Sequence, residues 1–129
     1  MRGRVAWLLV LVAGCGRGSD DVRRFTSNTG TFTVEMRFLP TPVPLNEPFT
    51  VDFNMTAKPA DRSTMTVEVD ARMPAHFHGM TRVPKVTRQA DGSWRAEGMR
   101  FHMPGRWEIH VDVTRNGVTE RAQTDVILK

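Results

Sequence analysis

Apolar and polar residues alternate along most of this chain with a period of two. Phe32, Val34, Met36 and Phe38 are interleaved with Thr33, Glu35 and Arg37. Phe49, Val51, Phe53 and Met55 are interleaved with Thr50, Asp52 and Asn54. Met65, Val67, Val69 and Ala71 alternate with Thr66, Glu68 and Asp70, and Trp107, Ile109, Val111 and Val113 alternate with Glu108, His110 and Asp112. This is the signature of half-buried strands, whose successive side chains point to opposite faces. Weaker strands are predicted over Val83 to Arg88 and Ser93 to Met99, with Gly98 marking a bulge, and a last strand over Val118 to Leu128 with Ala122, Thr124, Val126 and Leu128 on one face.

Turn signals separate these segments. Pro40, Pro42 and Pro44 end the first strand, because proline cannot donate to a central ladder. Lys58 to Ser63 reads as a loop, Pro84 places its strand at an edge, and Pro104-Gly105 makes a turn. Asp91-Gly92 and Asn116-Gly117 are preferred hairpin dipeptides. About seven short strands with no helical period predict an all-β, immunoglobulin-like antiparallel sandwich. The Cys-Trp-Cys signature of antibody domains is absent, so the prediction concerns architecture alone.

The N-terminal residues break the alternation. Arg2 and Arg4 precede the apolar run Val5 to Ala13, too short to span a bilayer and suited to a secretory signal. Leu11-Val12-Ala13-Gly14-Cys15 resembles the lipobox of bacterial lipoproteins, in which the matching cysteine becomes the acylated first residue. The expected organisation is a signal peptide at 1–14, a lipidated Cys15 with a flexible tether to residue 30, and one domain over 31–129. A first short strand near Phe25 is the alternative reading of the tether's end. Buried acyl methylenes contribute roughly 0.8 kcal/mol each, so more than one chain gives a stable anchor. The implied place is outside the cytoplasm, on a bacterial membrane. Gly16 after Cys15, in place of the Asp that marks inner-membrane retention in some bacteria, favours the outer membrane.

Cys15 is the only cysteine, so the domain must be held by packing, without disulfide, thiolate ligand or thiol nucleophile. Setting Arg2 and Arg4 aside leaves 16 Lys and Arg against 14 Asp and Glu, scattered along the chain. The basic clusters and stacking aromatics of a nucleic-acid binder are missing. Nothing marks an enzyme either: there is no phosphate-binding glycine loop and no paired carboxylate set in an obvious cleft.

The candidate chemistry lies in two segments. Met73-Pro74-Ala75-His76-Phe77-His78-Gly79-Met80 holds two of the four histidines, and Phe101-His102-Met103-Pro104-Gly105 holds a third. Met73 continues an inward series and should begin in the core, after which Pro74 takes the chain out of the ladder. If the following residues are extended, His76, His78 and Met80 leave on one side, with Gly79 allowing a turn. One of His102 and Met103 should join them while the other packs. Imidazole suits copper, zinc, iron and nickel, and thioether selects soft ions such as Cu(I). A His and Met set without Cys or carboxylates therefore points to copper, through His76, His78, Met80, His102 and Met103. The competing reading makes Met73 and Met103 core fillers and the histidines solvated loop residues. His110, on the outward face of its strand, is expected to be an exposed sheet residue.

These segments resemble the YtkA-like domain family of bacterial extracytoplasmic proteins. The resemblance runs from about Pro48 to about Val113. It rests on Met73-Pro74-Ala75-His76 with His78-Gly79-Met80, on Asp91-Gly92 with Arg95-Ala96-Glu97-Gly98, and on Phe101-His102-Met103-Pro104-Gly105-Arg106-Trp107-Glu108. Phe77 and Val83 depart from the family pattern; the Phe77 ring would either narrow access to a metal or pack the loop down. The resemblance implies an immunoglobulin-like sandwich and, from some members, copper handling and cytochrome oxidase maturation. Two functions follow as expectations. One is a membrane-tethered copper-binding protein that passes the ion to a copper-receiving or respiratory-complex protein. The other is a structural or partner-binding accessory module of a membrane complex.

Overall fold

The computed structural model describes residues 21–57 and 64–129. The expected signal peptide, Cys15, the start of the expected tether and the expected loop Lys58 to Ser63 lie outside the described residues. Two antiparallel sheets face each other as a β-sandwich. The strands are β1 (Arg23–Thr26), β2 (Phe32–Leu39), β3 (Pro48–Ala57), β4 (Thr66–Met73), β5 (His78–Gly79), β6 (Lys85–Arg88), β7 (Trp94–Arg100), β8 (Gly105–Arg115) and β9 (Val118–Leu128). The first sheet has the order β1-β2-β3-β7-β6 and the second β5-β4-β8-β9. A 3-10 turn, Pro74–His76, interrupts the strands at the end of β4.

The period-two pattern determines which side chains face inward. Every second residue of β2 and of β4 is buried: Phe32, Val34, Met36 and Phe38, then Val67, Val69, Ala71 and Met73. Phe53, Met99, Phe101, Trp107 and Ile109 complete the centre of the core. Burying one large apolar side chain is worth roughly 1.5–3 kcal/mol, which is the means of cohesion open to a domain without cross-links.

The turns behave as their residues dictate. Asn116 and Gly117 both have positive φ, 49° and 76°, and join Arg115 to Val118 in a two-residue hairpin. Gly98, at φ 83°, sits where β7 uses four residues, Ala96 to Met99, against three on β3, Phe49 to Val51, which is the expected bulge. Asp91 Oδ1 accepts from the Ser93 amide at 2.9 Å and closes the β6–β7 turn.

Three expectations need correction. The tether does not extend to residue 30, because Arg23–Thr26 pairs with β2 in register Arg23 to Met36 and Ser27 bridges to Ala122. Nine strands are present among the described residues rather than seven, the additions being β1 and the two-residue β5. His110 is outward by parity yet only 2% exposed. It lies on β8 between β4 and β9, opposite Asp70 and Gln123, and its Nε2 is 2.5 Å from Glu108 Oε1. A central strand flanked by long charged side chains covers even its outer face.

Candidate metal site

The site is built at one end of the sandwich, where β4 stops and β8 begins. Met73 is the last inward residue of β4 and is buried. Pro74 follows at the first position of the 3-10 turn, where a missing amide donor costs nothing. Phe77 ends the turn with left-handed backbone, φ 55°, its amide donating to the Pro74 carbonyl at 3.4 Å. The chain then doubles back, so that β5 lies against the end of β4 with Met73 opposite His78 and Arg72 opposite Gly79.

The segment is therefore not extended from His76 to Met80, as the alternation argument required. His76 belongs to the turn and His78 to a strand, and the fold-back rather than parity brings their rings to 5.8 Å between centroids. Gly79 is not a turn residue. A side chain there would meet the Ala71 carbonyl oxygen at 3.2 Å, so glycine allows β5 to approach β4. Met80 parts from the histidines: its amide donates to Ala71 at 3.2 Å and its side chain packs against the core.

The second segment delivers His102. Its ring lies 5.2 Å from that of His78, so His78 stands between His76 and His102. Met103 packs against the core and its carbonyl accepts a 3.0 Å hydrogen bond from Trp107 Nε1. Of the pair His102 and Met103, the histidine joins the site and the methionine packs.

Trp107 is the wall of this site, a role that its inward parity alone did not reveal. It stacks on Phe101 at 4.6 Å with planes 8° apart. His102 and His78 meet it edge-on at 5.4 Å and 6.0 Å. The available signal was its position four residues after Met103, at the start of the best-patterned strand. Phe77 does neither thing expected of it: its side chain is 97% exposed, neither packed on the loop nor covering the histidines.

The hydrogen bonding of the three imidazoles is sparse. His78 Nδ1 is 3.2 Å from the Gly79 carbonyl oxygen. Among the described residues, His102 Nδ1 is buried with no hydrogen-bond partner. Buried polar atoms nearly always have a partner, so an orphaned ring nitrogen calls for an explanation. A metal–nitrogen bond of about 2.0–2.1 Å puts the centroids of two imidazoles on one ion roughly 5–6 Å apart. The observed 5.2 Å and 5.8 Å fall in that range. The separations of these two ring pairs fit a shared ion, while among the described residues no three His, Cys, Asp or Glu side chains form a group that could hold a metal ion as they stand.

No curated protein and no solved structure matches the chain significantly. A family model described as YtkA-like matches residues 26–112, from the end of β1 into β8, and includes both histidine segments. That span is more than half of the 129 residues and starts well before Pro48, and by it the chain belongs to the YtkA-like family.

Proposed function

We propose that this protein is a metal-binding domain for copper, held outside the cytoplasm by lipid on Cys15, and that His76, His78 and His102 bind the ion. The observation that carries the proposal is the orphaned, buried Nδ1 of His102 beside the two imidazoles of the neighbouring loop. An ion there would satisfy a ring nitrogen that has no protein partner among the described residues. Met80 and Met103 drop out as primary ligands because both pack on the core. The preference for a soft ion is then weaker than a His and Met set would give. Copper keeps the advantage through the general order of divalent affinities, which peaks at Cu²⁺. The domain's role is binding and transfer to a copper-receiving or respiratory-complex protein rather than catalysis, with copper as cargo.

Titration of the chain with Cu(I), Cu²⁺ and Zn²⁺ tests the reading. One copper ion should bind, with zinc weaker. His76→Ala with His78→Ala should weaken copper at least about tenfold, since even losing groups that merely orient ligands costs about 10–100-fold. Unchanged affinity in that double variant refutes the site. Mass spectrometry of membrane-extracted protein tests the anchor, which Cys15→Ala should abolish.

One observation favours a partner-binding module as the second reading. Phe77 and Val83, 97% and 94% exposed, are the chain's two most exposed large apolar residues among those described. An exposed Phe within the loop that carries His76 and His78 is suited to contact a protein surface. Loss of a crosslinked membrane partner in a Phe77 variant, with no copper bound by the native chain, would select this reading.

A further inference from the structure

The two sheets close against each other on the side where β1 and β9 meet, through the Ser27–Ala122 bridge. On the opposite side β4 and β6 approach each other only over a short stretch. There β4 is the outer long strand of its sheet, and β5 covers only its last two residues, Arg72 and Met73. Among the described residues, Thr66 to Asp70 pair with β8 alone. A groove of about 550 Å³ runs along this edge, with Val67, Val69, Glu68 and Asp70 on one wall and Met80 and Val86 among the residues of the other.

The direction of the free backbone groups follows from one hydrogen bond. The Ala71 carbonyl accepts from Met80, on the side away from β8. In an antiparallel ladder, alternate residues turn both backbone groups to the same side. Val69 and Val67 therefore present two N–H and two C=O groups toward the groove. The Ala71 N–H is already taken by Asp70 Oδ1 at 2.8 Å. At the other sheet's edge Pro84 precedes the four-residue β6, a usual way of blunting an edge strand, whereas no proline lies within β4.

We propose that this edge is a docking site for an extended peptide segment that adds a strand beside β4, with apolar residues alternating with basic ones. The apolar half of that chemistry is set by the groove's floor, which Val67, Val69, Met80 and Val86 supply. The basic half is set by Glu68 and Asp70, two apart on the outward face, where a paired strand puts its own outward side chains opposite; against the single Arg82 of the lining they leave the groove net acidic. Self-pairing is disfavoured by the same charges. The antiparallel register that uses both valines places Glu68 of one copy opposite Glu68 of the other, and like charges directly opposite destabilise.

The test uses the isotope-labelled full chain and three acetylated, amidated peptides: alternating Val-Lys, alternating Val-Glu, and Val-Lys with alternate backbone amides methylated. The Val-Lys peptide should protect the Val67 and Val69 amides from hydrogen exchange and bind roughly three- to tenfold more tightly than Val-Glu. The methylated peptide should not bind. Glu68→Lys, at an exposed position, should narrow or reverse the preference between the first two. Equal affinity for the Lys and Glu peptides, exchange changes confined to other strands, or concentration-dependent protection of the same amides without peptide would each overturn the proposal.

Discussion

Phe77 combines two unfavourable choices in one residue. Its φ of 55° is left-handed, which costs a non-glycine residue about 1–2 kcal/mol, and its ring is almost wholly in water. Neither local propensity nor burial accounts for a phenylalanine here. Phe77→Gly relieves the backbone cost while loosening the unfolded chain by about 0.5–1 kcal/mol. The expected result in urea unfolding is a stability unchanged or raised by up to about 1 kcal/mol. A loss of more than about 1 kcal/mol would show that the ring supports the fold after all. His110 teaches the complementary lesson. Its parity places it outward, yet its burial is set largely by the strands on either side of it, which its own alternation does not show.

At the scale of elements, the site depends on how β8 starts. Gly105 is the first residue of β8, with φ 122°, and a Cβ there would stand 2.9 Å from the Met73 side-chain methyl. The close approach connects the turn after Met103 to the inward end of β4 and so brings the two histidine segments together. Gly105→Ala should destabilise the domain by roughly 1–3 kcal/mol, chiefly from backbone strain at its positive φ, since the Met73 methyl is the flexible end of its side chain. Copper affinity of whatever folds should fall as well. Thermal unfolding and titration of that variant check both; a change below about 0.5 kcal/mol would mean that the loop relaxes freely. The strands themselves were legible because alternation over four or more positions is a long signal. The strand β5 was not, because two residues carry no period and its pairing depends on the fold-back at Phe77.

For the whole molecule, charge on the outer face of the second sheet links stability to pH. Glu108 is held below the ordinary carboxylate range mainly by its hydrogen bond to His110. Asp112 is held low mainly by the paired hydrogen bonds of Arg121, at 2.8 Å and 2.7 Å. A carboxylate whose folded pKa lies below its unfolded value stabilises the fold above the unfolded pKa and loses that contribution as pH falls through the folded one. The midpoint of urea unfolding should therefore decline as pH is lowered from about 5 toward 3. Glu108→Gln should flatten part of that decline. A midpoint that stays level or rises on acidification would contradict the sign. Glu108 and Asp112 could be placed on the outward face from sequence, but their partners come from register across strands.

What the amino-acid sequence determined by itself is the class of fold and the identity of its inward residues. Strand alternation, proline breaks and the Asn116-Gly117 hairpin are local, and each acts over a few residues. It also singled out His76, His78 and His102, because clustered histidines are rare enough to be seen without a structure. Only the tertiary structure decided which members of the two segments meet. Met80 and Met103 looked as eligible as the histidines, and apolar burial drew both against the core. The strand at Arg23–Thr26, the covering of His110, the wall formed by Trp107 and the open edge of β4 are likewise products of packing between distant segments. Such contacts are set by which faces and edges remain after the strands have paired, and no local pattern records them.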